Sequence, residues 1–327
     1  MNVAQRVSYP STQPAVSYPG YYTVDRWHCM ISGVTSRGVC TISQAQDAPA
    51  GFRNSLKIAV TTADTALDAW AEYSIQQRLE GQDLQRLCKG TSSTKEVTIS
   101  FWVKSSLTGT YILEMLDDDN GSRHINKSYT INSANTWEYK SITFPGDTAG
   151  VLDLDNAKSM TISWNLAGGS NFQGGGLQTS WGSLAQTKRQ DGQVNFFANN
   201  GNTFQLTACQ IEVGSTATPF EHRSYSDELA KCQRYYEEYN LYGVITSKIP
   251  NINTHQANIY FKVRKRTTPS MNTPSCGNFQ PGGGSGSTAT LRQSVDSTTV
   301  QSNSSSGSSW SDQFYNSGAI LKIDAEL

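Results

Sequence analysis

Apolar and polar residues alternate with a period of two along the middle of this chain. Val97, Ile99, Phe101 and Val103 fall on one side of an extended segment, and Thr98, Ser100, Trp102 and Lys104 on the other. That is the pattern of a half-buried strand. Similar strand patterns recur over Thr110–Leu116, Asn126–Ile131, Trp137–Phe144, Met160–Leu166 and Phe204–Val213. Turn signals separate them, among them Thr108-Gly109, Asn120-Gly121 and Pro145-Gly146, which suit tight reversals between antiparallel strands. The expected fold is all-β: a jelly-roll β-sandwich, then one helix and a smaller C-terminal β-region.

The boundaries follow from where the alternation starts and stops. Residues 1–20 hold Pro10, Pro14 and Pro19 and no sustained period, so they read as an extended N-terminal arm suited to packing on a neighbouring subunit. The jelly roll is expected over residues 21–223, a linking helix over 224–240, and the C-terminal β-region over 241–327. The helix reads as Ser226–Tyr239, with Ser226 as cap and Asp227 and Glu228 at the positive end of the dipole. Leu229, Cys232, Tyr236 and Tyr239 then share one stripe and are candidate oligomer contacts. Leu79–Cys88 reads as a short helix or a polar loop. The irregular stretch 167–192 is long enough to be functional or to cover another surface. In the last region, strands are expected at Ile259–Val263, Ala289–Arg292, Thr298–Val300 and Ala319–Asp324, joined by Gly/Ser-rich loops at 281–287 and 302–309.

Composition sharpens this picture. Of 327 residues, 36% are hydrophobic and only 16% charged, too few charges for a helical protein and suited to short strands and loops. The formal net charge is −1, without the basic excess that nucleic-acid binding needs. The basic run Lys262–Arg266 reads as an exposed strand end. No signal segment and no long apolar run stands out, so neither export by a standard leader nor membrane insertion is expected. Six cysteines are scattered without a C-x-x-C pair, which fits reduced, buried thiols better than a zinc site or a disulfide framework. The spacing also allows a Cys29–Cys40 bridge across a hairpin.

Candidate chemistry is recognition. Sugar-binding jelly rolls stack pyranose rings on aromatic faces and hold hydroxyls with amides, carboxylates or Arg. Trp102 sits on the polar side of its strand, and Trp70, Trp181 and Trp310 lie in loop-like surroundings, so these four are the candidate ligand-binding residues. Trp27, Trp137 and Trp164 are expected in the core. Asp117, Asp118, Asp119 and Asn120 read as a solvated acidic turn rather than a Ca²⁺ loop. The four histidines form no H-E-x-x-H arrangement and no G-x-S-x-G elbow exists. Carboxylate pairs among Glu114, Asp117, Asp153 and Asp155 carry no specific hydrolase signal. No enzyme, cofactor or metal is expected.

Three stretches taken together resemble a known family: Tyr22–Trp27, Val97–Ser105, and Ile211–Arg223 continuing into Glu228–Tyr236; Ile323–Leu327 is similar to the ending of the same proteins. They resemble tail-fibre and related virion proteins of bacteriophages. The resemblance implies a carbohydrate-binding-module-like jelly roll in a homo-oligomer, expected to be a homotrimer, at the surface of a virion assembled in the host cytoplasm. Its implied partners are other virion proteins and a host surface glycan. The alternatives are a purely architectural virion protein without a host ligand and, third, a polysaccharide-degrading enzyme.

Overall fold

The computed structural model describes residues 1–6, 12–35, 38–240, 247–248, 254–272, 290–303 and 320–327. They divide into two compact units, one of residues 1–223 with Leu327 and one of residues 224–326.

Thirteen strands build the first unit. They are β1 (Thr12–Val16), β2 (Gly20–Tyr21), β3 (Trp27–Ser32), β4 (Val39–Ala45), β5 (Ser55–Thr62), β6 (Glu72–Glu80) and β7 (Val97–Ser105), then β8 (Gly109–Asp117), β9 (Arg123–Ile131), β10 (Glu138–Phe144), β11 (Lys158–Gly168), β12 (Gly182–Ser183) and β13 (Thr203–Val213). One sheet has the order β1-β4-β5-β13-β7-β10 and the other β12-β9-β8-β11-β6-β3-β2. Every pairing within them is antiparallel. This is the expected sandwich. Its core forms where the inner faces meet: Ile58, Ile99, Phe101 and Phe204 from one sheet, Ile75, Leu113, Ile162 and Trp164 from the other. Trp164 is 1% exposed; its ring meets Trp27 at 5.3 Å and the edge of Phe101 at 5.7 Å.

Part of the stretch expected as an extended arm joins this sandwich. β1 pairs with β4 at the edge of the six-stranded sheet. The register shifts between Gln13 and Val16, and Ala15 takes φ +56° within the shift, as a bulge requires. Leu79–Cys88 contributes the last residues of β6 and a 3-10 turn at Gly81–Leu87.

The second unit begins with helix α1 (Tyr225–Gln233), and its cap is Ser224, which accepts the Asp227 amide. The helix is shorter than its sequence suggests. Tyr236 and Tyr239 lie not on a helical stripe with Leu229 and Cys232 but on strand β14 (Tyr236–Asn240), because this tyrosine-rich run pairs with β20 (Ile320–Asp324) over buried Leu321 and Ile323. Aromatic side chains favour that pleated surface. β17 (Ser270–Met271) completes that sheet; β15 (Ser247–Lys248), β16 (Thr254–Tyr260), β18 (Thr290–Gln293) and β19 (Ser297–Asn303) form another. The basic run follows the end of β16, with Lys262 and Arg264 exposed as expected, but Lys265 is 1% exposed, donates to the Gln233 carbonyl and lies 3.4 Å from Glu237. Most of the Gly/Ser-rich loops fall outside the described residues.

Candidate functional site

The outer face of the six-stranded sheet carries an aromatic platform. Alternation on β7 turns Trp102 and Lys104 away from the core, and register places Tyr139 of β10 opposite Trp102 on one side and Thr207 of β13 on the other. The Trp102 and Tyr139 rings lie 5.5 Å apart at 54°. Tyr139 is 46% exposed, and Trp102 is half-buried. Trp137, just before β10, donates its indole N–H to Asp47 Oδ1 at 3.2 Å, and the Lys104 ammonium sits 5.4 Å from its ring centre.

A polar rim borders this platform. Asp47 Oδ2 receives Lys104 and, at 3.0 Å, the Gln205 amide, which also donates to Ser55 Oγ at 3.1 Å. Burial works to raise the Asp47 carboxyl, but the bonds from Lys104, Gln205 and Trp137 more than offset it and hold the group below its ordinary range. Beside Trp102, Thr207 donates to the Asn54 carbonyl at 2.8 Å, and the buried Asn54 side-chain oxygen has no partner among the described residues. One end of the face is taken up by the chain itself: Thr98 and Thr143 donate to the Gly214 and Ser215 carbonyls, and Gln210 Oε1 accepts the Glu221 amide. What stays open is a half-exposed aromatic pair beside the Lys104–Asp47 ion pair, with Gln205, Ser55 and Thr207 buried beneath it.

The outer face of the seven-stranded sheet is sealed. Glu114, His124, Asn126 and Asn165 are 0% exposed there, because residues 169–195 cross over them. Arg189 of that crossing segment grips Glu114 at 2.7 Å and Glu72 at 3.0 Å. The Ala185 amide donates to His124 Nε2, so Nδ1 carries the proton and donates to Glu114 at 3.0 Å. Burial alone would raise the Glu114 carboxyl; Arg189 and His124 bring it below the ordinary range.

No protein-family model and no curated protein matches the chain. Solved structures are similar to part of the chain. Over 57% of this chain it is similar to the enzymatically active domain of tailspike protein 4 of bacteriophage CBA120, with 14% identity, a TM-score of 0.33 and 19% of that chain spanned. The family 11 carbohydrate-binding module of a Clostridium thermocellum cellulosomal cellulase is 16% identical over 62% of this chain and 95% of its own, with a TM-score of 0.32. The CBM22-1 xylan-binding domain from Paenibacillus barcinonensis Xyn10C is 12% identical over 66% and 100%, with a TM-score of 0.29. At such identities the chain's function has to be read from its own side chains.

The tryptophans singled out from sequence do not converge. Trp102 lies on the open face. Trp181 is half-buried, donating to the Pro145 carbonyl at 2.8 Å under the Lys89 ammonium. Trp70 is 55% exposed and meets Phe172 edge-on at 5.8 Å. Trp310 lies outside the described residues. Trp137 is not a core residue, and Tyr139 was not singled out at all. One signal finds both: counted from β10, they fall in the odd-numbered phase opposite to buried Ile142 and Phe144. The acidic turn is held from within rather than solvated throughout. Asp117 is 0% exposed and pairs with Lys89, and Asp118 pairs with Lys158. Among the described residues no cluster could hold a metal ion, and no helix is long and apolar enough to cross a membrane. Cys232 is buried and Leu229 half-buried.

Proposed function

We propose that residues 1–223 form a glycan-binding module whose binding surface is the open face of the six-stranded sheet, and that the chain is an attachment protein of a phage particle. One observation carries the first part: Trp102 and Tyr139 are paired on an exposed sheet face beside the charged pair Lys104 and Asp47. A pyranose presents a C–H face that stacks on such rings, while its hydroxyls need charged or amide partners at the edge. The module works by binding alone. In support, the buried carboxylates Glu114, Asp117 and Asp147 are all engaged by Arg189, Lys89 or Arg123, which leaves none of these three poised as an acid or nucleophile.

The virion role rests on the motif resemblance of Tyr22–Trp27, Val97–Ser105 and Ile211–Arg223. In a homotrimer, weak single-site affinity gains from several copies acting at high effective concentration. A glycan array read with the wild-type chain and with Trp102→Ala and Tyr139→Ala tests the binding surface. Saturable binding by the wild-type chain, weakened in both variants, is the expected result. A flat array with firm binding to capsid or tail proteins assigns the chain to virion architecture instead. New reducing ends on incubation with host polysaccharide would make it an enzyme. Antibody labelling of intact particles tests the location, and sedimentation at micromolar concentration tests the trimer.

A further inference from the structure

The thiols of Cys29 and Cys40 meet inside the sandwich, away from the residues of the open face. Cys29 lies on β3 of the seven-stranded sheet and Cys40 on β4 of the six-stranded sheet, and both are buried, at 4% and 0% exposure. The chain sets them opposite each other. Val16 pairs with Cys40 in one sheet and Gly20 pairs with Cys29 in the other, so the short link from Val16 to Gly20 crosses between the sheets beside them. The two side chains contact each other, and Cys40 Sγ lies 3.8 Å from the Val16 carbonyl oxygen. The connection from β3 to β4 is therefore an arch between sheets, not the hairpin suggested by the spacing.

We propose that Cys29 and Cys40 are a modification site, oxidised to an intramolecular disulfide that staples the two sheets together at their β1–β2 edge. The oxidant is a low-molecular-weight disulfide such as oxidised glutathione. One cysteine thiolate attacks it, breaking its S–S bond, releasing one thiol and leaving a mixed disulfide. The second cysteine sulfur then displaces the remaining thiol and closes the protein disulfide. Two protein thiols are oxidised, one small disulfide is reduced to two thiols, and no other electron acceptor is needed. Contact with Cys40 and burial both raise the Cys29 thiol well above its ordinary range, which keeps it protonated and slow to react while the sandwich is closed. Access comes through the edge: β1 and β2 are the outermost strands of their sheets, five and two residues long, and such edges open most easily. A reducing cytosol keeps the pair as thiols, and an oxidising medium closes it.

The test uses the full chain, purified with reductant and then incubated with oxidised glutathione at about pH 8, where exposed thiols begin to ionise. Trypsin digestion without reduction is expected to yield residues 27–37 joined to residues 38–53, two hydrogens lighter than the separate peptides combined. The thermal midpoint of the oxidised chain should rise by about 5 °C and fall back on adding dithiothreitol. Cys29→Ser and Cys40→Ser should each abolish both effects, whereas Cys88→Ser should abolish neither. Cys29 and Cys40 both found free after oxidation of the wild-type chain, or either joined to a different cysteine, overturns the proposal without reference to any variant.

Discussion

The two outer faces of the sandwich have opposite fates. Both come from period-two alternation, and both carry polar side chains between the core positions. On the seven-stranded sheet Glu114, His124, Asn126 and Asn165 are sealed under residues 169–195, and Glu114, Arg189, Glu72 and His124 form one charged network. On the six-stranded sheet the chain covers only part of the face and leaves Trp102 and Tyr139 in contact with water. Buried charge must be fully paired or it destabilises the fold, so the sealed face can change little. The open face bears no such constraint, and its half-exposed rings are free to gain contacts from a ligand.

The largest effect is expected from breaking the sealed network. Arg189→Met leaves Glu114 buried without its cation and should cost about 3–5 kcal/mol in a urea or thermal unfolding experiment. Because the two groups share one network, the double variant Glu114→Gln/Arg189→Met should cost less than the sum of the single changes. A strictly additive result would separate the two residues energetically.

Acid comes next. Asp147 sits against Lys89 and accepts both Arg123 nitrogens at 2.8 Å; burial acts to raise its carboxyl, but those bonds and the Ala149 amide hold it at about 2. A folded pKa below the unfolded value contributes stability that is present above about pH 4 and is lost as pH falls toward 2. Unfolding midpoints should therefore fall through that window, and Asp147→Asn should flatten the fall while lowering stability at neutral pH. An unchanged acid profile in the variant would remove Asp147 from this account.

Smaller still are the effects on the open face. Trp102→Ala should weaken glycan binding by about tenfold, or roughly 1.4 kcal/mol, while changing stability far less than Arg189→Met does. Lys104→Met breaks only a partly exposed ion pair with Asp47 and should change stability by less than about 1 kcal/mol. If Lys104→Met proved as damaging as Arg189→Met, the contrast between the two faces would fail.

Residues differ in how plainly the sequence discloses these roles. β7 was legible because each inward residue is apolar and each outward one polar or amphipathic. β6 was not, since Tyr73, Ser74, Ile75 and Gln76 are all buried and a strand covered on both faces shows no alternation. The helix looked longer than it is because Tyr236 and Tyr239 fit a helical spacing, and only the distant partner β20 decides for strand. Trp102 was legible from its phase. Tyr139 and Trp137 become candidates only once Ile142 and Phe144 fix which side of β10 faces the core. Which half of the sheet stays open depends on where the segment after β13 folds back, a contact between residues far apart in sequence.

The most direct test of the open-face assignment is a nitrogen–proton correlation spectrum of the chain titrated with a glycan that it binds on an array. The indole N–H signals of Trp102 and Trp137 should shift and saturate together, while those of Trp27, Trp164 and Trp181 stay in place. Saturable shifts confined to the latter three, or binding that moves none of the indoles, would contradict a glycan site on the six-stranded sheet.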